Sequence, residues 1–288
     1  MITTGDAVTR GTRILTEAGL QSARLDAQIL AGHILGIERA TLYAYPERPM
    51  TAEQERQFLH LIERRARGEP VAYLVGHKEF YGLDFFVDQR VLIPRPETEL
   101  LVEAALAVIR RKIDAGEQPI VADIGTGSGA IAITLAVEEP RLLYLYACDI
   151  SQQALEVAQL NSQRHHVENR VHLRQGDLLA ALPEPVDVLL ANLPYVGTTE
   201  MELLTPDVHA YEPHLALFSG PYGLGLLQRF CKEAQQSGML KDGGVMILEI
   251  GYQQREPLMQ LIHELWPHAS IAYKKDYGGW DRLLQITV

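Results

Sequence analysis

From residue 120 to its C-terminus this 288-residue sequence alternates short apolar runs with segments of helical period, and that alternation restricts the fold more than any other feature. Runs rich in branched and aromatic residues at 120–124, 143–148, 171–174, 186–190, 244–250, 270–273 and 282–288 read as strands. Helical segments at 130–138 and 152–164 separate the early ones. Strands and helices in this order predict a mostly parallel, doubly wound α/β sheet. Ligands of such sheets bind outside the carboxyl ends of the strands.

Four of those ends carry polar chemistry. Asp123-Ile124-Gly125-Thr126-Gly127-Ser128-Gly129-Ala130 follows the first run and opens a helix. Glycines let the backbone turn tightly and approach a ligand, and the helix start offers free N–H groups. Asp149 closes the second run, where a carboxylate can accept both hydroxyls of a ribose. Asp177, in Gln175-Gly176-Asp177-Leu178, closes the third, and its side chain or adjacent backbone can read an adenine edge. An Asp after Gly is also a common turn residue.

The fourth end is Ala191-Asn192-Leu193-Pro194-Tyr195. An Asn oxygen can accept an N–H from a substrate, the Leu193 carbonyl can take a second one, and Tyr195 offers a flat face to a planar group. Pro194 biases Leu193 to an extended backbone. Together these make a clamp for a planar NH2 group. The same tetrapeptide fits a strand-ending turn whose Asn bonds its own backbone.

A ribose–adenine site at this edge suits a dinucleotide or S-adenosylmethionine. A hydride-transfer enzyme has no evident use for an NH2 clamp, whereas a methyl donor needs a nucleophile beside it. Asp123 would suit the ammonium of the methionine tail.

Upstream the pattern differs. Residues 1–75 read as a small helical domain, with Ser22 capping a helix to Gly36 that carries Leu25, Ile29 and Leu30, and with Thr51 to Gln54 as a capping box ahead of Phe58, Leu61 and Ile62. Residues 76–93, with Phe80, Tyr81, Gly82, Phe85 and Phe86, read as a β-hairpin linker to a domain at 94–288. Arg95 stands between two prolines, as a surface group or one aimed at a ligand, and Glu97 or Thr98 starts the next helix. His165-His166 reads as a solvated helix end, and Glu212-Pro213 and Glu249 as scaffolding.

Lys and Arg number 26 against 37 Asp and Glu, a net charge of −11, which leaves no cationic surplus for a dedicated nucleic-acid binder. Cys148 and Cys231 lie far apart with no zinc or disulfide spacing, and no metal constellation is visible. No apolar run reaches the roughly 18 residues of a membrane span, and no leader is evident, so a cytoplasmic protein is expected.

On these blocks the chain resembles the HemK/PrmC family, the release-factor glutamine N5-methyltransferases. The likeness runs through Gly76, Phe80, Gly82 and Phe85, Val91 to Glu99 as VLIPRPETE, Asp123 to Gly129 as DIGTGSG, and Asn192 to Tyr195. It continues through Tyr211-Glu212-Pro213 with Ala216-Leu217, Leu248-Glu249-Ile250-Gly251 with Gln254, and Asp276 with Gly279 and Arg282. VLIPRPETE is the specific part. The resemblance implies a helical domain that binds substrate, a hairpin linker and a seven-stranded, Rossmann-like class I methyltransferase domain whose last strand is antiparallel. It implies S-adenosyl-L-methionine held by Gly125, Thr126, Gly127, Ser128, Gly129 and Asp149, with Asp123, Asp177 and Leu178 nearby. Asn192, Leu193, Pro194 and Tyr195, with Arg95, would hold the glutamine of the Gly-Gly-Gln tip of class 1 peptide chain release factors.

The chain departs from the family pattern at Leu193, where proline is usual, at Leu178, where an aromatic is frequent, and at Tyr222, where an acidic residue is usual. Competing readings are a glutamine of ribosomal protein L3 as substrate, an adenine-N6 methyltransferase on DNA or RNA, and a nucleotide-sensing module without turnover. The acidic balance counts against the nucleic-acid reading.

Overall fold

The computed structural model describes residues 2–203 and 205–288. The chain divides into two compact units, one of residues up to His77 with Thr205–Tyr211, the other from Lys78 onward without that segment.

The first unit is helical: α1 (Thr4–Glu17), α2 (Ala23–Leu35), α3 (Arg39–Ala44), α4 (Ala52–Ala66) and α5 (Val71–Val75), joined by the short helix Pro206–Tyr211. Leu15, Leu30, Phe58 and Ile62 form its core. Gly11 lets α1 lie directly on α4, because a Cβ there would come within 2.7 Å of Phe58 Cζ and 2.9 Å of Ile62 Cδ1. The capping box at Thr51 and Gln54 is present in full. Two expectations for α2 fail. Ser22 holds the N-cap position, but its backbone at φ −88° and ψ 14° lacks the extended conformation that aims a capping oxygen at the helix N–H groups, and its hydroxyl donates to Asp26 at 2.8 Å. Leu25 is exposed, because the buried stripe runs through Ala23, Ala27, Leu30 and Ala31 and Leu25 falls off that face. Asp26 is itself buried against Arg65 at 2.7 Å.

In the second unit β1 (His77–Phe80) and β2 (Leu83–Phe86) form a hairpin, turning at Tyr81 and Gly82, which both have positive φ. The expected hairpin was longer. Its pairing ends at Phe86, and the segment to Arg95 runs without regular structure. After α6 (Glu99–Asp114) the sheet is built from β3 (Val121–Ile124), α7 (Ala130–Glu138), β4 (Leu145–Asp149), α8 (Gln152–Arg164), β5 (Val171–Gln175) and β6 (Val186–Ala191). With α9 assigned to Pro206–Tyr211, there follow α10 (Gly225–Ser237), β7 (Leu240–Glu249), α11 (Arg255–Leu265), β8 (Ser270–Lys275) and β9 (Asp281–Thr287). The seven strands lie in the order β5-β4-β3-β6-β7-β9-β8, with β9 antiparallel to both neighbours. This is the Rossmann-like α/β sheet expected. β7 starts earlier than the expected 244, since Gly243 at φ +73° carries an irregularity where Val186 pairs with Leu240 but Val188 with Val245.

Both faces of the sheet are covered, so its central strands bury consecutive residues on opposite sides. Val188 and Leu190 join the core with α6 and α7, and Leu189 and Ala191 join the core with Phe230, Leu258 and Ile262. Cys148 and Cys231 are buried there, and burial pushes both thiols up to about 12. Among the described residues no helix is long and apolar enough to cross a membrane.

Asn161 on α8 is fully buried and joins the hairpin to the glycine loop. Its Oδ1 accepts the Phe86 N–H at 2.7 Å, and its Nδ2 donates to the carbonyls of Phe86 at 3.0 Å and Ser128 at 2.8 Å. Asn161→Ala orphans the buried Ser128 carbonyl and the half-buried N–H and carbonyl of Phe86, so urea unfolding should show a loss of about 2 kcal/mol; a loss under about 0.5 kcal/mol would mean that these groups find other partners.

Candidate active site

The strand register brings the functional ends into one row. Ile124 on β3 pairs with Cys148 on β4 and with Ala191 on β6, and Ala191 pairs with Leu248 on β7. Gly125, Asp149, Asn192 and Glu249 each follow one of these residues, so four neighbouring strands release their next residue at one level.

The loop after β3 doubles back on β4, with the Gly125 and Thr126 N–H groups both donating to the Cys148 carbonyl, at 2.8 and 2.9 Å. Gly129 stands at the start of α7 with φ +82°, and a Cβ on it would lie 2.6 Å from Ile133 Cδ1. Its role is to seat the helix against the loop. Gly127, with φ +55°, has nothing within 4 Å of where a Cβ would project. Its N–H donates to Asp149 Oδ2 at 2.9 Å, while Asp149 Oδ1 accepts the Ser151 N–H at 2.9 Å. Burial pushes the Asp149 carboxyl above the ordinary aspartate range, against the pull of those N–H bonds.

A cavity of about 460 Å³ opens at this edge. Of the residues singled out in the sequence it gathers Gly125, Gly127, Asp149, Asp177, Leu178, Asn192, Leu193 and Pro194. Leu178 presents an apolar wall from a left-handed backbone at φ +47°, a conformation costly for a branched side chain. The Asp177 carboxylate is held by Arg229 at 2.5 Å, which leaves its neighbouring backbone as the nearer candidate for reading a ligand. Leu193 is buried, and a Cβ on Gly125 would lie 3.0 Å from its Cδ2. Among the described residues no group of His, Cys, Asp and Glu is placed to hold a metal.

Asp123, Thr126, Ser128, Gly129, Arg95 and Tyr195 do not line the cavity. Asp123 is fully buried under the loop, where Oδ2 accepts the Thr126 hydroxyl at 2.7 Å and Oδ1 has no hydrogen-bond partner among the described residues. Burial, helped by the Asp149 charge, lifts its carboxyl to about 7. Arg95 is paired with Glu212, which is buried and also accepts the Ile93 N–H at 3.1 Å. The arginine is thus neither a loose surface group nor a free probe, and Glu212 ties down the prolines on either side of it.

The Asn192 amide is held from behind. Nδ2 donates to the Thr98 hydroxyl at 3.0 Å, the Thr98 hydroxyl donates to Glu249 Oε2 at 2.7 Å, and the Tyr195 hydroxyl donates to Glu249 Oε1 at 3.1 Å. No described residue donates to Asn192 Oδ1 or to the Leu193 carbonyl. Gln254 reaches the Tyr195 carbonyl at 2.8 Å. Thr98 was expected to cap α6. Its backbone is already helical, because the 3-10 turn Pro96–Thr98 runs straight into α6, so its hydroxyl makes no cap bond and turns to Glu249 instead. Sequence reasoning passed over Asn161, and it named Thr98, Glu249 and Gln254 without placing them behind Asn192 and Tyr195. The one signal available was positional, since Glu249 follows Leu248 as Asn192 follows Ala191 in register.

The folded chain keeps the Asp123 proton up to about pH 7, whereas an unfolded aspartate loses it near its ordinary value of 3.8. Between these values the folded state binds more protons, so stability falls as pH rises through that window. Asp123→Asn should abolish this slope, which is at most about 1.4 kcal/mol per pH unit. Urea unfolding of both proteins across the window tests it, and parallel profiles would refute it.

Residues 6–76 match the PrmC N-terminal domain and residues 98–206 the methyltransferase small domain. The release factor glutamine methyltransferase of Koribacter versatilis (strain Ellin345) is 41% identical over 260 residues, covering 89% of each chain. That of Moorella thermoacetica is 40% identical over 282 residues, covering 98% of this chain and 97% of its own. Two solved structures share the fold. The hMettl16 catalytic domain in complex with MAT2A 3'UTR hairpin 6 has a TM-score of 0.57 at 15% identity, over 78% of this chain and 81% of its own. A methyltransferase from Pyrococcus furiosus has 0.50 at 19%, over 78% of this chain and 98% of its own. The sheet is that of the class I methyltransferases, and by its similarity to these relatives the chain is an enzyme that belongs to the release factor glutamine methyltransferase family.

Proposed function

We propose that the chain transfers a methyl group from S-adenosyl-L-methionine to the side-chain amide nitrogen, N5, of the glutamine in the Gly-Gly-Gln motif of class 1 peptide chain release factors, in the cytoplasm. The observation that carries this reading is the Asn192 amide, tethered through Nδ2 to Thr98 with Oδ1 left as an acceptor beside the Leu193 carbonyl, on the wall of a cavity that also holds the glycine loop. The names of the relatives support the substrate.

The residues present fit the cofactor. Gly127 leaves open space where a side chain would stand, Asp149 offers two oxygens at the end of β4, and Ile150 and Leu178 give apolar surface for a purine. When bound, S-adenosyl-L-methionine supplies an electrophilic methyl group on a sulfonium. Gly125, Gly127, Asp149, Leu178 and the backbone at Asp177 would hold it, with Asp123, Thr126, Ser128 and Gly129 shaping the loop from beneath. Asn192, Leu193 and Pro194 would hold the glutamine. Arg95 and Tyr195, each engaged by a buried glutamate, would stiffen the segments on either side of it. Residues 1–75 would bind the body of the release factor.

An amide nitrogen is a weak nucleophile, because its lone pair is delocalised into the carbonyl. As it reacts it loses that conjugation and gains positive charge. Two fixed acceptors, Asn192 Oδ1 and Leu193 O, then bind its N–H groups more strongly than in the ground state. They also aim it, and positioning of this kind contributes up to roughly 7–11 kcal/mol in well-oriented systems. The product nitrogen is acidic enough to lose its proton to water, so no general base is required.

Asn192→Ala should lower kcat roughly 100- to 1000-fold, the scale of one lost transition-state hydrogen bond, while S-adenosylmethionine affinity by calorimetry stays within about threefold. Full turnover at saturating cofactor would remove the clamp from the mechanism. To test the substrate, the chain is incubated with isotope-labelled S-adenosylmethionine and a class 1 release factor, ribosomal protein L3 or DNA in turn. Mass spectrometry should place a single methyl increment on the Gly-Gly-Gln glutamine. Label in L3 or DNA alone would replace this reading, and cofactor binding without any transfer would leave a sensing module.

A further inference from the structure

We infer that Thr98 and Glu249 are positioning residues that fix the polarity of the Asn192 amide, so that its oxygen and not its NH2 group faces the incoming nucleophile. This rests on the reading of Asn192 as the substrate clamp. An asparagine amide has two orientations related by a half-turn, nearly identical in shape and opposite in hydrogen-bonding sense. Only one accepts an N–H. The open side of the cavity cannot choose between them, so the choice falls to whatever stands behind the amide.

What stands behind it is a one-way chain. An ionised carboxylate is an acceptor only; burial pushes the Glu249 carboxyl up, the Thr98 and Tyr195 hydroxyls and the Arg282 charge oppose that push, and in its ionised form this group, at 1% exposure, receives the Thr98 hydroxyl on Oε2 and the Tyr195 hydroxyl on Oε1. The hydroxyl of Thr98 has a single proton, and that proton is committed to Glu249 at 2.7 Å. Toward Asn192, Thr98 can therefore only accept. The amide answers with Nδ2 at 3.0 Å, which turns Oδ1 away from Thr98. Charge at Glu249 is thus converted, through one hydroxyl, into the direction of an amide two bonds away. A neutral donor at position 249 removes that compulsion, since it can donate to Thr98 and free the hydroxyl to donate to Oδ1.

The three residues come from separate elements. Thr98 leads into α6, Asn192 follows β6 and Glu249 ends β7, and the β6–β7 register holds the last two side by side. Such a relay sits outside the cavity, as neither Thr98 nor Glu249 lines it. Its loss should therefore appear in the rate and leave cofactor binding alone.

The test uses the full chain with S-adenosylmethionine and a release factor. Thr98→Val keeps the shape of the side chain and deletes the hydroxyl, and should lower kcat about tenfold, the scale of one hydrogen bond, with cofactor affinity by calorimetry unchanged and the unfolding midpoint lowered, since Glu249 Oε2 and Asn192 Nδ2 lose their partner. Thr98→Ser restores the hydroxyl and should return kcat to within about threefold of wild type. Glu249→Gln should lower kcat like Thr98→Val, again with cofactor affinity intact. In ¹⁵N-labelled protein, the shift of the Asn192 side-chain proton that the bond to Thr98 holds should move upfield in Thr98→Val while its partner proton moves less. Wild-type kcat in Thr98→Val, or a loss in Thr98→Ser as deep as in Thr98→Val, would overturn the relay. Should Thr98→Val fail to fold, Glu249→Gln decides, with wild-type kcat overturning the inference. Full turnover in Asn192→Ala would sink the clamp itself, whereas an impaired Asn192→Ala beside a fully active Thr98→Val would sink only the relay.

Discussion

The structure depends first on the register that joins β3, β4, β6 and β7. Parallel strands carry evenly spaced hydrogen bonds, and a slip of one residue would turn every side chain to the other face of a sheet buried on both. The apolar alternation of Val188, Leu189, Leu190 and Ala191 forbids that slip. The core therefore does more than stabilise the fold. It fixes the level at which Gly125, Asp149, Asn192 and Glu249 leave the sheet, and so the spacing of the site.

Polar groups gather where that core stops. Asp123, Asn161, Thr98 and Glu249 are all buried, and each would be costly unpaired. Most are paired with a group distant in the chain, and the pairing is directional: Asn161 holds the glycine loop from α8, and Glu249 holds Asn192 and Tyr195 from β7. Asp123 is the exception, with one oxygen unmatched. An interior arranged in this way gives up stability around the cavity and gains fixed orientation there.

Element type was legible in the sequence because it follows from local periodicity. All the strands from β3 to β9 were expected near where they lie, as was the glycine turn. Destinations of polar side chains were not legible. Thr98 looks like a helix cap to its neighbours in sequence, yet its partners are 94 and 151 residues away. The Ser22 hydroxyl donates to Asp26, and Asp177 and Arg95 were claimed by Arg229 and Glu212, contacts that no local pattern encodes. The start of β7 was missed because the apolar run begins only at 244, whereas the strand reaches back through the irregularity at Gly243 to Leu240.

Leu193 lies buried, with its Cδ2 only 3.0 Å from where a Cβ on Gly125 would stand. That contact meshes the turn after β3 with the turn after β6 like two teeth. A side chain at position 125 would press on Leu193, so the bare glycine is what lets the two turns close up. The two turns are thus fitted to one another by the absence of a single methyl group.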